Sequence, residues 1–228
     1  MIVQTARSVH LLGIGGIGTS ALAQWLLADG WTVTGSDRAA TEITDGLQAL
    51  GVAVTIEPQG SLPERKTLLV YSDAVPEDDP ARVRARREGI PERSYFELLS
   101  ERTAALDTVA VAGSHGKSTT TVLIGLLLEA LGRDPLVIAG TRVKAWQAFG
   151  GLGNVRVGRG EMAVIEADEY RSHFLFLFPR TAVVTNVDYD HVDAFPAPAD
   201  YEAAFAAFVR RVPAGGTVVL PWSDQATP

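Results

Sequence analysis

The sequence predicts a doubly wound α/β fold in two consecutive domains, and two observations support this prediction. Short apolar segments alternate with helical segments along the whole chain, which is typical of parallel sheets covered by helices. Apolar segments also run twice into glycine-rich turns that open helices, at residues 13–18 and 113–117. Because this strand–turn–helix unit occurs twice, we place the two domains at residues 1–104 and 105–228.

The individual elements follow from local patterns. In the first domain we predict strands at 8–12, 31–34, 52–56 and 68–71, and helices at 17–28, 80–88 and 95–101. Pro80 suits the first turn of its helix, and Ser94 with Glu97 has capping-box spacing. In the second domain we predict strands at 108–112, 162–165, 181–185 and 217–220, and helices at 118–131 and 200–211. Its near-continuous apolar strands indicate a sheet that is covered on both faces.

Composition narrows the possible classes of function. The formal net charge of −7 argues against a general binder of nucleic acids or anionic membranes. No apolar run approaches the roughly 18–20 residues that span a bilayer, so we expect no membrane insertion. The absence of cysteine excludes disulfides, thiol catalysis and cysteine zinc sites, and it is compatible with a cytoplasmic protein. We interpret the arginine cluster as the solvated face of a helix, and the alternative is a surface site for an anion; the cluster comprises Arg82, Arg84, Arg86 and Arg87.

The first glycine motif is G-x-G-x-x-G at residues 13–18, between a strand and a helix. Its glycines allow a tight turn and a close approach of the backbone to a phosphate, which the helix N-terminus attracts. Asp37 follows the second strand, where a ribose-binding acid is expected. The plain interpretation is a site for NAD, and the alternative is a packed turn without a ligand.

The second glycine motif, G-S-H-G-K-S-T-T, occupies residues 113–120, again between a strand and a helix. In such a loop the backbone N–H groups and Lys117 contact nucleotide phosphates, and a hydroxyl reaches Mg²⁺. Val111 stands where the full eight-residue pattern has its first glycine, so the loop is of a shorter type. The alternative is a helix-capping loop with a solvated lysine.

Two acidic motifs follow apolar strands of the second domain. Glu166, Asp168 and Glu169 end one strand, and His191 with Asp190 follows the next one. Ligands bind beyond the carboxyl ends of strands in open α/β sheets, so we predict Mg²⁺ ligation here, with Asp190 orienting the ring of His191. The alternatives are an exposed acidic turn and a histidine with a structural role.

In their order along the chain, these four motifs resemble those of the Mur ligases of peptidoglycan synthesis, and the resemblance covers essentially all 228 residues. It implies a Rossmann-like UDP-binding domain followed by a P-loop ATPase-type domain. The first domain then holds a UDP-sugar rather than NAD. The implied substrates are UDP-N-acetylmuramate, ATP and L-alanine, with Mg²⁺.

The resemblance also implies roles for particular residues. It assigns the UDP-sugar to Gly15, Gly16, Ile17, Gly18, Asp37 and Ser72. It assigns ATP to Gly113, Ser114, His115, Gly116, Lys117, Ser118 and Thr119. Mg²⁺ is assigned to Ser118, Glu166 and His191, and the catalytic roles to Lys117, Glu166 and His191.

Within the family, the histidine of the phosphate loop and the glycine-rich first domain resemble the alanine-adding branch. Many Mur ligases carry a carbamylated lysine in the helix after the D-H-x-D motif. The matching position here is Phe205, and the lack of a lysine there is a further resemblance to the alanine-adding branch. The branch that recycles murein tripeptide is an alternative. Two further alternatives for the function are a non-catalytic UDP-sugar-binding module and a nicotinamide-dependent oxidoreductase. The second of these rests on the first glycine motif alone.

The implied reaction forms an acyl phosphate from the muramoyl carboxylate and ATP, and the amine then displaces phosphate. The resemblance also implies a third domain after the ATPase domain, and we expect the 228 residues to end before that ATPase domain is complete. We therefore expect no ligation by this chain alone. We also expect self-association through unpaired edges of the second sheet.

Overall fold

The computed structural model describes residues 8–57, 62, 67–147 and 150–221. Its contacts divide the chain into two compact units. The first comprises Met1–Leu98 with Thr141–Val155, and the second Leu99–Gly140 with Arg156–Pro228. The α/β class is confirmed, because each unit contains its own largely parallel sheet. The predicted division at 104/105 differs from this one, since Thr141–Val155 returns to the first unit.

The first unit is built on a sheet with the strand order β3–β2–β1–β4–β5, and all four of its strand pairs are parallel. The elements are β1 (Ser8–Leu12), α1 (Ile17–Ala28), β2 (Thr32–Asp37), α2 (Glu42–Ala49), β3 (Ala53–Ile56), β4 (Leu68–Tyr71), α3 (Pro80–Glu88), β5 (Glu92–Ser94) and the start of α4 (Tyr95–Thr103), which continues into the second unit. The order reverses between β1 and β4. In open α/β sheets a ligand crevice forms at such a switch point, beyond the carboxyl ends of the strands.

Helix α2 is not predicted from the sequence, because Gly46 lies in its middle. Its N-terminus carries a capping box in which Thr41 and Thr44 each accept the backbone N–H of the other. A Cβ atom at Gly46 would lie 2.2 Å from Cδ2 of Leu152. A side chain at residue 46 would therefore displace the end of the Leu152 side chain, which packs against this helix.

The returning segment is held to α1 by a buried polar network around Asn154, which has no exposed surface. The Nδ2 group of Asn154 donates to the carbonyl oxygen of Ile17 at 2.6 Å and to Oγ of Ser20 at 2.8 Å. Its Oδ1 atom accepts from Nε2 of Gln24 at 2.9 Å, and the backbone N–H of Leu152 donates to Oε1 of Gln24 at 2.8 Å. The Asn154 amide thus satisfies buried polar groups on α1.

We expect Asn154→Ala to lower the free energy of unfolding by about 2 kcal/mol, because buried partners on α1 lose their hydrogen bonds. Urea unfolding followed by tryptophan fluorescence measures this loss. The matched control is Gln48→Ala, which removes an exposed amide bonded to the carbonyl of Val54. Gln48→Ala should lower the free energy of unfolding by well under ~1 kcal/mol. Equal losses in the two variants would contradict a stabilising role of the buried network.

The second unit contains a sheet with the order β11–β10–β6–β9–β7–β8. The elements that follow α4 are β6 (Asp107–Ala112), α5 (Lys117–Ala130), β7 (Leu136–Ile138), α6 (Lys144–Gln147), β8 (Val155–Arg156), β9 (Met162–Glu166), a 3₁₀ segment (Tyr170–Phe176), β10 (Thr181–Val184), α7 (Pro198–Val209) and β11 (Thr217–Val219). The central strand β6 pairs in parallel with both β9 and β10. The carboxyl ends of these three strands therefore meet at one edge of the sheet.

Helix α7 packs on the 3₁₀ segment through aromatic rings. Phe174 stacks on Phe208 with ring centroids 4.8 Å apart and meets Phe205 edge to face at 5.2 Å. Phe205 is 1% exposed, so the position that the resemblance matches to a modified lysine lies in the apolar core here. In the part of the chain that the structure describes, no helix is both long and apolar enough to cross a bilayer.

The prediction of a solvated arginine face is wrong for Arg82. This residue is 6% exposed, and its guanidinium lies 3.6 Å above the ring of Tyr71. It also forms an ion pair with Glu92 and donates to the carbonyl of Val75 at 3.0 Å. Arg84 fits the prediction, since its side chain is 53% exposed in its pair with Glu88.

Candidate functional site

The crevice of the first unit is a pocket of about 200 Å³ at the switch point between β1 and β4. The turns after β1 and β4 and the end of β2 line it, and they contribute Gly16, Ser72 and Asp37. Gly13, which has a φ of +71°, lies where a Cβ atom would be 2.9 Å from Cβ of Ser72. The turns after β1 and β4 therefore approach each other closely at the floor of the pocket.

Asp37 holds the glycine turn in place. Its Oδ2 accepts the backbone N–H of Gly15 at 2.8 Å, and its Oδ1 accepts that of Arg38 at 2.8 Å. The N–H of Gly15, one of the glycines to which the resemblance assigns the UDP-sugar, thus points to a protein carboxylate. The N-terminal N–H groups of α1, which begins at Ile17, remain as donors for an anion at this turn.

The third glycine of the motif serves helix packing. A Cβ atom at Gly18 would lie 2.8 Å from Cζ of Tyr95, so only glycine allows this ring to rest on α1. The prediction that the backbone of Gly18 approaches a diphosphate stays a prediction. The side-chain requirement at this position comes from Tyr95.

The phosphate loop of the second unit lies between β6 and α5 and is tied to the residues after β10. The backbone N–H of His115 donates to Oδ1 of Asn186 at 2.9 Å, and its carbonyl accepts from Oγ1 of Thr185 at 2.6 Å. Gly116 has a φ of +79°, and α5 begins at the next residue. The free N–H groups of the first turn of α5 face the loop, as phosphate binding requires.

Ser114 fixes the base of the loop through a hydrogen-bond chain that the sequence did not reveal. Its Oγ donates to the carbonyl of Asp188 at 2.6 Å and accepts the backbone N–H of Asp188 at 2.9 Å. The hydroxyl of Tyr201 lies 2.8 Å from the same Oγ. Burial raises the pKa of Tyr201 to about 12, against the hydrogen bond to Ser114, which lowers it. Tyr201 therefore stays protonated and acts as a donor.

Lys117 is folded back onto its own loop. Its Nζ donates to the carbonyls of Gly113 at 2.6 Å and Ser114 at 3.3 Å. It also contacts Oε2 of Glu169 at 2.8 Å. Glu169 belongs to the acidic motif, but no pattern in the sequence separates it from its neighbours. The structure places it directly beneath the phosphate-loop lysine.

Ser118 and Glu166 form the oxygen pair that a magnesium ion needs. The hydroxyl of Ser118 donates to Oε1 of Glu166 at 2.8 Å, and the backbone N–H of Gly140 donates to Oε2. Among the described residues, no three His, Asp or Glu side chains converge closely enough to hold a metal by themselves. Mg²⁺ typically binds to one or two carboxylates, substrate phosphates and water, so this pair fits an ion that arrives with a nucleotide.

His191 faces Glu169 rather than Glu166. Its Nε2 lies 3.3 Å from Oε1 of Glu169, and its ring meets that of Tyr170 at 5.2 Å. The prediction that Asp190 orients this ring is wrong, since Asp190 accepts the backbone N–H of His191 at 2.7 Å. That bond supports the left-handed backbone of His191, whose φ is +56°.

Asp168 adds a further negative charge to this site. Burial raises the pKa of Asp168, but hydrogen bonds from His173 and from the backbone of Tyr170, with the charges of His173 and Lys117, hold it below its usual value. The carboxylate is therefore ionised at neutral pH. The predicted nucleotide residues are thus brought together at one edge of the sheet, while Thr119 lies exposed on α5.

Comparison with known proteins identifies the family of this chain. Residues 8–106 match the Mur ligase family, catalytic domain, and residues 111–228 match the Mur ligase middle domain. The chain belongs to the Mur ligase family. This membership explains why an NAD-like glycine turn and a phosphate loop occur in one chain.

Individual relatives agree with this assignment. A UDP-N-acetylmuramate–L-alanine ligase of Frankia casuarinae is 43% identical over 96% of this chain and 44% of its own length. The structure of a UDP-N-acetylmuramate–alanine ligase from Thermotoga maritima is similar with a TM-score of 0.82 and 31% identity, over 96% of this chain and 50% of that one. The chain thus spans about half the length of these relatives.

A third relative belongs to another branch. The structure of the UDP-N-acetylmuramate:L-alanyl-γ-D-glutamyl-meso-diaminopimelate ligase of Neisseria meningitidis is similar with a TM-score of 0.85 and 27% identity. The match covers 97% of this chain and 73% of that one. Overall fold similarity therefore does not separate the two branches.

Proposed function

We propose that this chain provides the UDP-sugar-binding and ATP-binding parts of a ligase that joins L-alanine to UDP-N-acetylmuramate in the cytoplasm. The main support is the phosphate loop, where Lys117, Ser118 and Glu166 lie at the carboxyl edge of one sheet. A nicotinamide enzyme has no use for this loop. The identity of 43% to an alanine-adding relative favours L-alanine as the amine.

The chemistry asked of these residues is positioning and charge neutralisation. The muramoyl carboxylate oxygen attacks the γ-phosphorus of ATP, the bond to the ADP oxygen breaks, and an acyl phosphate forms. The amine of L-alanine then attacks the acyl carbon, and inorganic phosphate leaves. Lys117 donates to phosphate oxygens, and Ser118 with Glu166 would hold Mg²⁺, which offsets the charge of the phosphates. No protein nucleophile is required.

The first unit is proposed to hold the UDP part of the sugar in the pocket beside Gly16, Asp37 and Ser72. We expect UDP-N-acetylmuramate at about 100 times its dissociation constant to add about 2.7 kcal/mol of stability, which raises the melting temperature by several degrees. NADH at the same concentration should give no shift. Ser72→Phe, which fills the pocket, should abolish the shift. A shift with NADH alone would contradict a UDP-sugar site.

The second candidate is ligation of murein tripeptide, which the TM-score of 0.85 to the Neisseria enzyme favours. Both candidates use UDP-N-acetylmuramate, so binding of the UDP-sugar does not separate them. A ligation assay separates them. It contains ATP, Mg²⁺ and either L-alanine or L-alanyl-γ-D-glutamyl-meso-diaminopimelate, and the muramoyl product is identified by its mass. Because the chain spans about half the length of its relatives, we expect no product from the 228 residues alone, and product with L-alanine from a protein of the relatives' full length.

A further inference from the structure

Glu169 is a completely buried carboxylate at the centre of the nucleotide site. Its residue exposure is 0%, and its oxygens lie 2.8 Å and 2.9 Å from Nζ of Lys117. Oε1 also lies 3.3 Å from Nε2 of His191. A buried charge persists only when it is paired, so the ammonium of Lys117 is its principal counter-charge. None of the roles proposed for the site uses this carboxylate.

The same contacts leave Lys117 with no hydrogen to offer a phosphate. An ammonium has three N–H donors, and Gly113, Ser114 and Glu169 supply acceptors for them. A nucleotide phosphate that binds here must displace one of these oxygens. Loss of the contact between Lys117 and Glu169 is the most costly of these, because the buried carboxylate then keeps only the longer contact with His191.

The charge around the loop is also unfavourable to a polyphosphate. The positive charge of Lys117 is offset by Glu169, while the Glu166 carboxylate lies on the neighbouring strand end beside Ser118. A free polyphosphate anion therefore meets a site that is not positive. A nucleotide that carries a divalent cation brings the missing positive charge to the oxygen pair of Ser118 and Glu166.

We propose that Glu169 determines the ionic form of the nucleotide that the site accepts: by neutralising Lys117, it excludes the free polyphosphate anion and makes binding conditional on a divalent cation. The proposal rests on the proposed function, because it concerns the same phosphate loop. Glu169 thus acts through Lys117 as a specificity-determining residue.

The test compares ADP binding by the wild-type chain and Glu169→Gln, each by calorimetry with Mg²⁺ and with EDTA. Gln keeps the shape and one acceptor but removes the charge. At an effective dielectric constant of ~20, a unit negative charge a few ångströms from a phosphate weakens its binding by more than a factor of ten. The dissociation constant of ADP in EDTA should therefore be at least ~10-fold lower for Glu169→Gln than for the wild-type chain. With Mg²⁺ present the change should be smaller, under ~3-fold. Glu161→Gln, an exposed acid of the same unit, should change neither value.

The outcomes separate the two proposals. If the wild-type chain binds ADP with Mg²⁺ but Glu169→Gln binds no more tightly in EDTA, the role of Glu169 is overturned and the nucleotide site stands. If the wild-type chain does not bind ADP even with Mg²⁺, both proposals fall. If Glu169→Gln binds ADP more tightly than the wild-type chain in EDTA but not with Mg²⁺, the control of ionic form by Glu169 is supported.

A second measurement tests the ion pair without any ligand. Lys117→Met leaves Glu169 buried without its cation, so its melting temperature should drop clearly. Adding Glu169→Gln to that variant removes the stranded charge, so the double variant should melt at a higher temperature than Lys117→Met alone. A double variant that melts lower still would overturn the pairing on which the proposal depends, even if Glu169→Gln alone does not fold.

Discussion

Lys117→Met is expected to weaken the binding of ADP in the presence of Mg²⁺ by about 100-fold or more. The substitution keeps the length of the side chain but removes every donor and the charge. Charge-assisted hydrogen bonds contribute about 1.5–3 kcal/mol each, and about 1.4 kcal/mol is a factor of ten, so the loss of contacts to phosphate oxygens accounts for this factor. Calorimetric titration at a temperature where the variant is folded measures it.

The control for this prediction is Lys144→Met, which removes the same charge from an exposed position in the first unit. Its affinity for ADP should match that of the wild-type chain. The melting shift with UDP-N-acetylmuramate should persist in both variants, because the pocket beside Ser72 lies in the first unit. Unchanged ADP affinity in Lys117→Met would show that this loop does not hold nucleotide phosphates through its lysine.

The order of most strands and helices was predictable because it follows from local periodicity, but α2, β5, β7, α6 and β8 were not predicted. Residues 8–12, 68–71 and 80–88 have the bounds that we predicted. The motifs were predictable for a related reason, since a glycine turn between a strand and a helix needs only a short stretch of chain. Because the carboxyl ends of neighbouring parallel strands meet at one edge, the sequence also indicated that Lys117 and Glu166 share a site.

The contacts between distant parts of the chain were not predictable in this way. No local pattern shows that Thr141–Val155 packs on the first unit, since its anchor Asn154 depends on Gln24 and Ser20, far away in the sequence. Arg82 looked like a solvated residue because its partner Glu92 lies on another element.

The same limit applies within the candidate site. Glu169 and Glu166 stand in one short motif, yet one is completely buried beneath Lys117 and the other is bonded to Ser118. Glu166 is the last residue of β9, whereas Glu169 lies beyond the end of that strand. His191 lies at this edge, and its ring contacts Glu169, from the neighbouring strand end, so its predicted role stays a prediction. A motif therefore predicts which residues gather at a site, and not how they pair.

Gly113→Ala is expected to lower the free energy of unfolding of the second unit by about 3–5 kcal/mol and to abolish ADP binding. Gly113 has a φ of +136°, which alanine adopts only with strain, and an added Cβ atom would lie 2.0 Å from Oγ1 of Thr185. It would also lie 3.1 Å from backbone atoms of Asn186, which do not yield as a side chain does. The loop must then move away from β10, and its bonds to Thr185 and Asn186 break.

Gly116→Ala provides the matched comparison, because it makes the same substitution in the same loop. Gly116 also has a positive φ, +79°, but an added Cβ atom meets nothing within 4 Å. Only the backbone strain remains, which costs about 1–2 kcal/mol. The difference between the two variants, measured by urea unfolding, therefore isolates the contact of the loop with the end of β10. Equal losses would show that the conformation of the loop, and not its packing on Thr185, is what requires glycine at residue 113.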